Sequence, residues 1–298
     1  MGNAEASVLA RLKNKAKEQG IPLQQLLNLF CQEEFIRRLS VSNYREKVIL
    51  KGGFLLYLIS GFAARPTVDA DYLLRNYPND RDAVEKLVKN VISLSDKNDF
   101  IQFEIRKLET IREIKKYHGI RIYLMGFIGR VKIPFSIDFG VGDVVVPSPI
   151  ERTLPVIIPD FEEPKILTYS LESTVAEKLD AIISLMEATS RMKDIFDIYY
   201  LATTFDFDGR KLQEAIYETL TNRGTPYEKD SVTIISRLTD DSIILRRWEN
   251  FCKKILQYKL GFTDVVKLII YFLQPPYEAL INEEELFKKW NHERKEYE

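Results

Sequence analysis

Two aspartates separated by one residue form the feature of this sequence best suited to metal chemistry. Asp69-Ala70-Asp71 lies in the segment 65–74, whose alternation predicts a β-strand. Residues i and i+2 of a strand point to the same face, so the two carboxylates form one negative site. A divalent cation offsets their repulsion, and Mg²⁺ binds carboxylate and phosphate oxygens. The alternative is a solvated strand end, but Val68 and Tyr72-Leu73-Leu74 favour a half-buried strand.

A third aspartate, Asp138, lies in the β-rich segment Ile133–Gly140. Its neighbours Ile137 and Phe139 are apolar, so the carboxylate is expected on the opposite face of the strand. A single strand aspartate is more often structural. Beside a metal pair, however, a third carboxylate has a use, because it can bind a second ion and act as general base on an attacking hydroxyl.

A glycine pair provides a candidate phosphate site. Lys51-Gly52-Gly53 directly precedes the apolar segment Phe54–Ile59, at the predicted mouth of a helix. Glycine lets a phosphate approach the backbone, and the start of a helix presents N–H groups and the positive end of its dipole. Taken alone, the pair predicts only a tight turn into a helix.

The order of these three features resembles the polymerase-beta type of nucleotidyltransferase. In that fold a glycine motif holds the triphosphate, and carboxylates from two strands bind two metal ions for in-line displacement of pyrophosphate. The resemblance implies that Gly52 and Gly53 bind the nucleotide. It also implies that Asp69, Asp71 and Asp138 are metal ligands and catalytic residues.

The elements that position these residues fall into three parts. Apolar residues recur at helical spacing over 4–39, and Gly20-Ile21-Pro22 divides this part into two helices. The part 48–146 reads as strands with one early helix. After the strand around Asp69, its extended segments are Ile101–Arg106, Gly119–Phe127 and Val131–Phe139. Five prolines between Pro147 and Pro164 predict a connector without regular structure.

The remainder of the chain has helical periodicity. Predicted helices run from a cap at Ser173 to about Met186, then over Met192–Ala202, Arg210–Leu220, Ile243–Tyr258 and Thr263–Leu273, the last ending before Pro275-Pro276. The predicted fold class is α+β, a mixed sheet with helices followed by an all-helical C-terminal domain. The predicted domains are 1–165, the nucleotidyltransferase domain with a helical leader, and 166–298, the helical domain. We expect nucleotide and magnesium between the two.

Composition narrows the functional classes. Of 298 residues, 45% are apolar and 29% charged, with 43 basic against 44 acidic side chains, as in a folded globular protein rather than a disordered or wholly basic one. The two cysteines, Cys31 and Cys252, and two histidines argue against a disulfide framework or a zinc site. The sequence shows no signal peptide or membrane span, which predicts a cytoplasmic protein without a membrane partner.

A closer resemblance covers nearly the whole chain. The motifs that carry it are Arg38–Tyr44, Leu50-Lys51-Gly52-Gly53, Arg65-Pro66-Thr67-Val68-Asp69-Ala70-Asp71, Ile137–Asp143, Ala176-Glu177-Lys178-Leu179 and Arg191–Tyr199. Together they resemble the AbiEii/AbiGii nucleotidyltransferase toxin family. The resemblance implies a type IV toxin–antitoxin or abortive-infection toxin with a cognate AbiEi-like antitoxin. Some relatives transfer nucleotides from a triphosphate to the 3′ end of tRNA and so block translation, which implies Mg²⁺, an NTP and an RNA acceptor.

Carried over by position, the resemblance implies further site residues. Lys178 would contact the triphosphate, and Asp194 would be the late acidic motif, ranked above Asp197. Arg65 would support the carboxylates or the phosphates. Without the family, Lys178 reads as a surface lysine and the two aspartates as a solvated helix face. The family's glycine–serine motif appears here as Gly52-Gly53, so the backbone amides replace the missing hydroxyl.

An excess of basic residues lies between the two acidic strand motifs. This segment, 106–132, contains Arg106, Lys107, Arg112, Lys115, Lys116, Arg121, Arg130 and Lys132, with Tyr117, His118 and Tyr123 as stacking candidates. It is either a groove that binds RNA phosphates or a solvated hairpin.

Two other functions stay open for the chain. One is transfer to a small molecule or protein side chain, and the other is a catalytically silent nucleotide-binding or interaction module.

Overall fold

The computed structural model describes residues 2–65, 67, 69–94, 98–112, 118–186 and 191–298. Contacts divide the chain into two compact units. The first contains the residues up to Gly142 together with Ile150–Thr168, and the second contains Asp143–Pro149 together with Tyr169–Glu298. The first unit is a mixed α/β structure and the second is mainly helical, which confirms the predicted α+β class.

The first unit is built on a seven-stranded mixed sheet. Its helices are α1 (Gly2–Gln19), α2 (Leu23–Ser40), α3 (Gly52–Ile59) and α4 (Arg81–Ser93). Its strands are β1 (Val48–Lys51), β2 (Asp69–Leu74), β3 (Ile101–Arg112), β4 (His118–Ile128), β5 (Val131–Gly140), β6 (Ile150–Thr153) and β7 (Lys165–Thr168). The strand order is β3-β4-β5-β2-β1-β7-β6. The β2–β5 and β1–β7 pairs are parallel, and the other pairs are antiparallel.

The alternation of β5 decides which face of the sheet is covered. Phe135, Ile137 and Phe139 are buried, whereas Ser136 and Asp138 are only half-buried on the other face. Helix α2 packs against β5, and α4 packs against β3. The apolar side chains of the strands therefore form the core, and the polar side chains of β2 and β5 are left on the opposite face.

Helix α2 is almost wholly buried although it carries four charged residues, Glu33, Glu34, Arg37 and Arg38. Arg37 Nη2 lies 2.5 Å from Glu33 Oε1, and Arg38 Nε lies 2.9 Å from Glu34 Oε1. The Ile157 N–H donates to Glu33 Oε2 at 2.6 Å, which fastens α2 to the segment before β7. Burial raises the pKa of Glu33 to about 7, against the opposing effect of Arg37.

Among its described residues, the second unit is built mainly from five α-helices and a small sheet. The helices are α5 (Leu171–Leu185), α6 (Met192–Thr204), α7 (Gly209–Arg223), α8 (Ser242–Phe251) and α9 (Phe262–Ile281). A 3-10 helix covers Thr233–Asp240, and a π-helical turn covers Cys252–Leu256. Strands β8 (Phe207–Asp208), β9 (Lys289–Asn291) and β10 (Glu296–Tyr297) form the sheet, which the sequence analysis did not predict. Trp290 on β9 is fully buried against Phe272 of α9.

The prolines mislead the sequence analysis at two places. The expected connector contains β6 and is followed directly by β7, because Pro149, Pro155 and Pro164 flank these strands instead of interrupting them. Helix α9 continues through Pro275-Pro276 to Ile281. Its buried apolar face extends beyond the prolines to Tyr277 and Ala279, and burial of that face offsets the lost backbone hydrogen bonds.

Three other boundaries differ from the predictions. Ser170, not Ser173, caps α5, and its side chain accepts from the Ser173 N–H at 3.0 Å. The strand predicted from Arg65 begins at Asp69. Helix α4, which Asp80 caps, was not predicted at all. The long helix predicted over 243–258 ends as α8 at Phe251 and gives way to the π-helical turn. Across the described ranges, no helix is both long and apolar enough to cross a membrane.

Candidate active site

The three aspartates lie on one face of the sheet in the first unit. In the parallel β2–β5 pair, Asp71 is directly opposite Asp138, and Asp69 is opposite Ser136. Neighbouring strands are about 4.8 Å apart, and directly paired residues share a face. Asp69 and Asp71 share it as well, since they are two residues apart on β2. All three are half-buried. The fold thus brings together carboxylates from stretches almost seventy residues apart.

The same register extends into a charged row across five strands. Lys51 of β1 is opposite Asp71, Arg121 of β4 is opposite Asp138, and Glu109 of β3 is opposite Arg121. We call these five residues, Lys51, Asp71, Asp138, Arg121 and Glu109, the charge row. Two adjacent carboxylates occupy its middle, with a cation on either side, so the fold itself supplies part of the charge compensation that the aspartates need.

Arg121 binds Asp138 through two hydrogen bonds. Its Nε donates to Asp138 Oδ1 at 2.7 Å and its Nη2 donates to Oδ2 at 2.6 Å. The Arg121 side chain is 37% exposed and that of Asp138 is 21% exposed. These hydrogen bonds raise the pKa of Arg121 above its ordinary value, so the guanidinium stays charged at any physiological pH. Arg121 was expected as a member of the basic segment, and its pairing with Asp138 was not predicted.

The glycine pair lies directly against the carboxylates. Gly52 begins α3 with φ of +73°, and a Cβ at this position would collide with Asp71 Oδ2. A Cβ on Gly53 would lie 3.1 Å from Arg65 Nη2 and 3.4 Å from Thr67 Oγ1. Glycine is therefore required at Gly52 by both backbone conformation and space. The turn into α3, the Arg65 guanidinium and Asp71 form one compact group.

Two buried residues before β2 support this group. Arg65 is 7% exposed and Thr67 is 5% exposed. The Asp69 N–H donates to Thr67 Oγ1 at 3.2 Å, which fixes the start of the strand that carries both aspartates. Arg65 thus lies beside the glycine pair, and its predicted role in supporting the carboxylates or the phosphates stays a prediction. Pro66 and Val68 of the same motif lie outside the described residues.

The donor set suits a hard divalent cation. Carboxylate oxygens on one face, next to a helix start and an arginine, match the preference of Mg²⁺ for oxygen ligands and phosphate. Asp69 and Asp71 could hold such an ion. Within the described ranges, no group of three Asp, Glu, His or Cys side chains is arranged as a ready metal site. In this arrangement Arg121 engages both oxygens of Asp138.

The other predicted site residues form a separate cluster in the second unit. Lys178 of α5 is 8% exposed, and its Nζ lies 3.0 Å from Asp194 Oδ1 and 2.7 Å from Asp197 Oδ2, both on α6. Arg191 Nε lies 2.8 Å from Asp194 Oδ2. Lys178 is therefore a buried lysine that joins two helices, not a surface lysine, and both aspartates share it.

A second, partly buried cluster surrounds Arg223 of α7. Its guanidinium contacts Asp143 Oδ1 at 2.7 Å, Glu177 Oε1 at 2.9 Å and Asp180 Oδ2 at 3.1 Å. Thr225 Oγ1 also donates to Asp180. Asp143 and Glu177 belong to motifs that the sequence analysis singled out, and here they connect α5, α7 and the segment 143–149. Their role in the structure is to hold α5, which carries Lys178.

Most described cations of the basic segment are already neutralised. Arg106 Nη1 lies 3.0 Å from Glu104 Oε1, Lys107 pairs with Glu109, and Arg121 pairs with Asp138. Arg130 and Lys132 are exposed near the β4–β5 turn. Residues 113–117, with Lys115, Lys116 and Tyr117, lie outside the described residues, as do the side chains of Arg112 and His118. The described part of this segment is a hairpin with internal ion pairs.

Two solved structures from Helicobacter pylori are similar to the chain. A provisionally assigned nucleotidyltransferase is 15% identical with a TM-score of 0.50, and the match covers 89% of this chain and all of that one. JHP933 is 14% identical with a TM-score of 0.48, over 87% of this chain and 94% of that one. At such identities the first similarity shows the fold alone. No protein with a curated description matches the chain significantly.

The chain also matches a protein family. The family described as "Nucleotidyl transferase AbiEii toxin, Type IV TA system" matches residues 34–267, well over half of the chain. The matched range contains the glycine pair, the three aspartates of the sheet, and Lys178 with its two partners. It confirms the family resemblance inferred from the sequence motifs. The chain belongs to the AbiEii nucleotidyl transferase toxin family of type IV toxin–antitoxin systems.

Proposed function

We propose that the protein transfers a nucleotide from an NTP to the 3′ end of tRNA in a Mg²⁺-dependent, two-metal reaction that blocks translation. The observation that carries the proposal is the placement of Asp71 opposite Asp138, with Asp69 on the same face and the glycine turn of α3 against Asp71. Carboxylates on two adjacent strands beside a phosphate-binding turn are the arrangement that nucleotidyl transfer needs.

Each residue of the group has a proposed role. Asp69 and Asp71 would hold a divalent cation, which would neutralise triphosphate charge and make the α-phosphate a better electrophile. The N–H groups at the start of α3, from Gly52 and Gly53, and the Arg65 guanidinium hold the phosphates. Asp138 would hold a second ion and would accept the proton of the attacking acceptor hydroxyl. The new P–O bond forms to that hydroxyl oxygen as the bond to pyrophosphate breaks.

The roles of Lys178 and Asp194 are proposed from the family resemblance. Lys178 already shares its ammonium with Asp194 and Asp197, so the proposal for the second unit is that this cluster holds the lysine in one orientation until a triphosphate competes for it. A Lys178→Arg variant keeps the charge but changes the geometry of the ammonium. We expect it to fold and to have a raised KM for the nucleotide.

The family also points to the biological setting. A type IV toxin has an antitoxin partner, and we propose an AbiEi-like protein encoded beside this one, with both acting in the cytoplasm. Expression of the chain is expected to arrest growth, with abortive infection as one context for that effect. The Asp69→Asn variant is expected to be harmless, because it removes a metal ligand without changing side-chain size. Equal toxicity of this variant would refute a role for nucleotidyl transfer.

A transfer assay separates the candidate functions. Purified protein is incubated with Mg²⁺, each α-labelled NTP and total tRNA. Label on tRNA that Asp69→Asn abolishes supports the proposal, with Asp160→Asn as a matched control, since Asp160 is exposed and pairs only with Arg11 among its described contacts. Label on a small molecule or on protein supports the first alternative. Nucleotide binding without transfer supports a catalytically silent module.

A further inference from the structure

One cation of the charge row is in direct competition with the proposed metal. Arg121 donates one hydrogen bond to each oxygen of Asp138, at 2.7 and 2.6 Å. Paired arginine–carboxylate contacts of this kind are short, directional and among the strongest hydrogen bonds in proteins. A metal ion that approached Asp138 would need the same oxygens.

The backbone fixes this competition. Arg121 and Asp138 are register partners in the β4–β5 hairpin, so neither strand can move one residue without turning the side chain to the other face. The next acidic residue of the row does not draw Arg121 away, because Glu109 is engaged by Tyr123 Oη at 2.7 Å and by Lys107. Asp138 is the carboxylate that Arg121 contacts most directly.

The charges around Asp138 explain why such a partner is needed. Asp71 is the adjacent residue in the row, and Asp69 lies on the same face two residues along β2. Three carboxylates on one half-buried face destabilise one another unless cations offset their charge. Before any metal binds, Arg121 supplies a positive charge at the Asp138 end of the group, and Lys51 lies opposite Asp71 at the other end.

We propose that Arg121 is a built-in counter-ion for Asp138 that a divalent cation must displace, so that this positioning residue sets the metal affinity of the site. The inference rests on the proposed function, since it takes Asp138 as a metal ligand. It predicts that removal of the guanidinium strengthens metal binding in the nucleotide-free protein, whereas a purely structural arginine would weaken it or leave it unchanged.

Mn²⁺ binding to the nucleotide-free protein tests the inference without measuring activity. The electron paramagnetic resonance signal of free Mn²⁺ is titrated with the wild type and with Arg121→Gln, Arg121→Lys, Asp138→Asn and Arg106→Gln. Arg106 lies on β3, the strand next to β4, and pairs with Glu104 at 3.0 Å, so its variant controls for loss of an arginine and its charge. Circular dichroism confirms that each variant is folded.

The expected result is specific to Arg121. Arg121→Gln should bind Mn²⁺ about tenfold more tightly than the wild type, as follows from losing one partly exposed charge-assisted pair. Arg121→Lys, which keeps the charge on a single donor group, should lie between the two. Arg106→Gln should match the wild type, and Asp138→Asn should bind more weakly. Unchanged or weaker binding by Arg121→Gln would overturn the inference.

Comparison with the transfer assay separates the two proposals. Wild-type protein that transfers no nucleotide, while Arg121→Gln gains Mn²⁺ affinity that Asp138→Asn loses, would refute the proposed function and support the counter-ion. If the wild type transfers nucleotide but Arg121→Gln gains no Mn²⁺ affinity, the proposed function is supported and the counter-ion proposal is refuted. If Arg121→Gln does not fold, Arg121→Lys decides, because an affinity equal to or below that of the wild type contradicts displacement.

Discussion

Gly52 offers the sharpest test of how the backbone and the carboxylates fit together. In a Gly52→Ala variant, the new Cβ meets two separate costs. The backbone is held at φ of +73°, which costs an L-residue about 1–2 kcal/mol. The Cβ also collides with Asp71 Oδ2, which forces that side chain from its position at a cost of about 1 kcal/mol. We expect a total loss of about 2–3 kcal/mol in the free energy of unfolding.

The effect on activity should be larger than the effect on stability. A displacement of a catalytic group by about 1 Å can reduce a rate by about 10²-fold, and Asp71 is the carboxylate that must move. We therefore expect Gly52→Ala to lower nucleotide transfer by roughly that factor at temperatures where the variant is folded. Urea unfolding measures the first quantity, and transfer of α-labelled NTP to tRNA measures the second.

Gly61→Ala is a matched control. Gly61 also has a positive φ, +61°, but an added Cβ there would meet no described atom within 4 Å. This variant should lose about 1–2 kcal/mol from backbone strain and retain full transfer activity. If the two alanine variants lose activity equally, Gly52 is needed only for its backbone conformation, and the argument that it makes space for Asp71 is refuted.

Three further variants test individual contacts by urea unfolding. Glu33 has a folded-state pKa of about 7 against 4.5 in the unfolded chain, so its stabilising effect is full below pH 4.5 and is lost as the pH rises through 7. Between pH 4.5 and 7 the free energy of unfolding of the wild type should fall by on the order of 3 kcal/mol relative to that of Glu33→Gln. An identical pH dependence of the two proteins would contradict this. Lys178→Met should lower the free energy of unfolding by about 3–5 kcal/mol, because it removes the ammonium between two buried carboxylates. The control Lys267→Met, at an exposed position, should leave the free energy of unfolding almost unchanged. Tyr72→Phe should be neutral or stabilising by about 1 kcal/mol, since the buried hydroxyl has no hydrogen-bond partner among the described residues, and a large loss would reveal one.

The sequence contains enough local information to predict the acidic strands. Alternation in Val131–Phe139 separates the apolar face from Ser136 and Asp138, and the structure shows that separation in β5. The glycine pair at the mouth of a helix was also predicted correctly, since α3 begins at Gly52. These features depend on residues within one or two turns or strands, where periodicity and turn chemistry apply directly.

The adjacency of Asp71 and Asp138 could not be predicted from local patterns. It depends on β2 lying between β1 and β5, and strand order is a property of the whole fold. The same holds for Lys178, whose burial depends on α6 packing against α5. For Lys178 the polarity of the side chain predicted exposure, and tertiary contacts with Asp194 and Asp197 decided otherwise.

The Arg121–Asp138 pair was not predicted, although the sequence contains a signal for it. Gly129-Arg130 forms a two-residue turn, with Gly129 at φ of +56°, between the runs that became β4 and β5. Counting outward from such a turn pairs residue 121 with residue 138. The signal was present in the sequence, but treating Arg121 as part of a basic segment concealed it.

The most direct test of the account is the position of the metal itself. Crystals grown with Mn²⁺ and a non-hydrolysable nucleoside triphosphate would locate the ion by its anomalous scattering. The account predicts Mn²⁺ bound to oxygens of Asp69 and Asp71, triphosphate against the turn at Gly52, and Asp138 released from Arg121. Mn²⁺ bound away from these aspartates, with the triphosphate elsewhere, would contradict it.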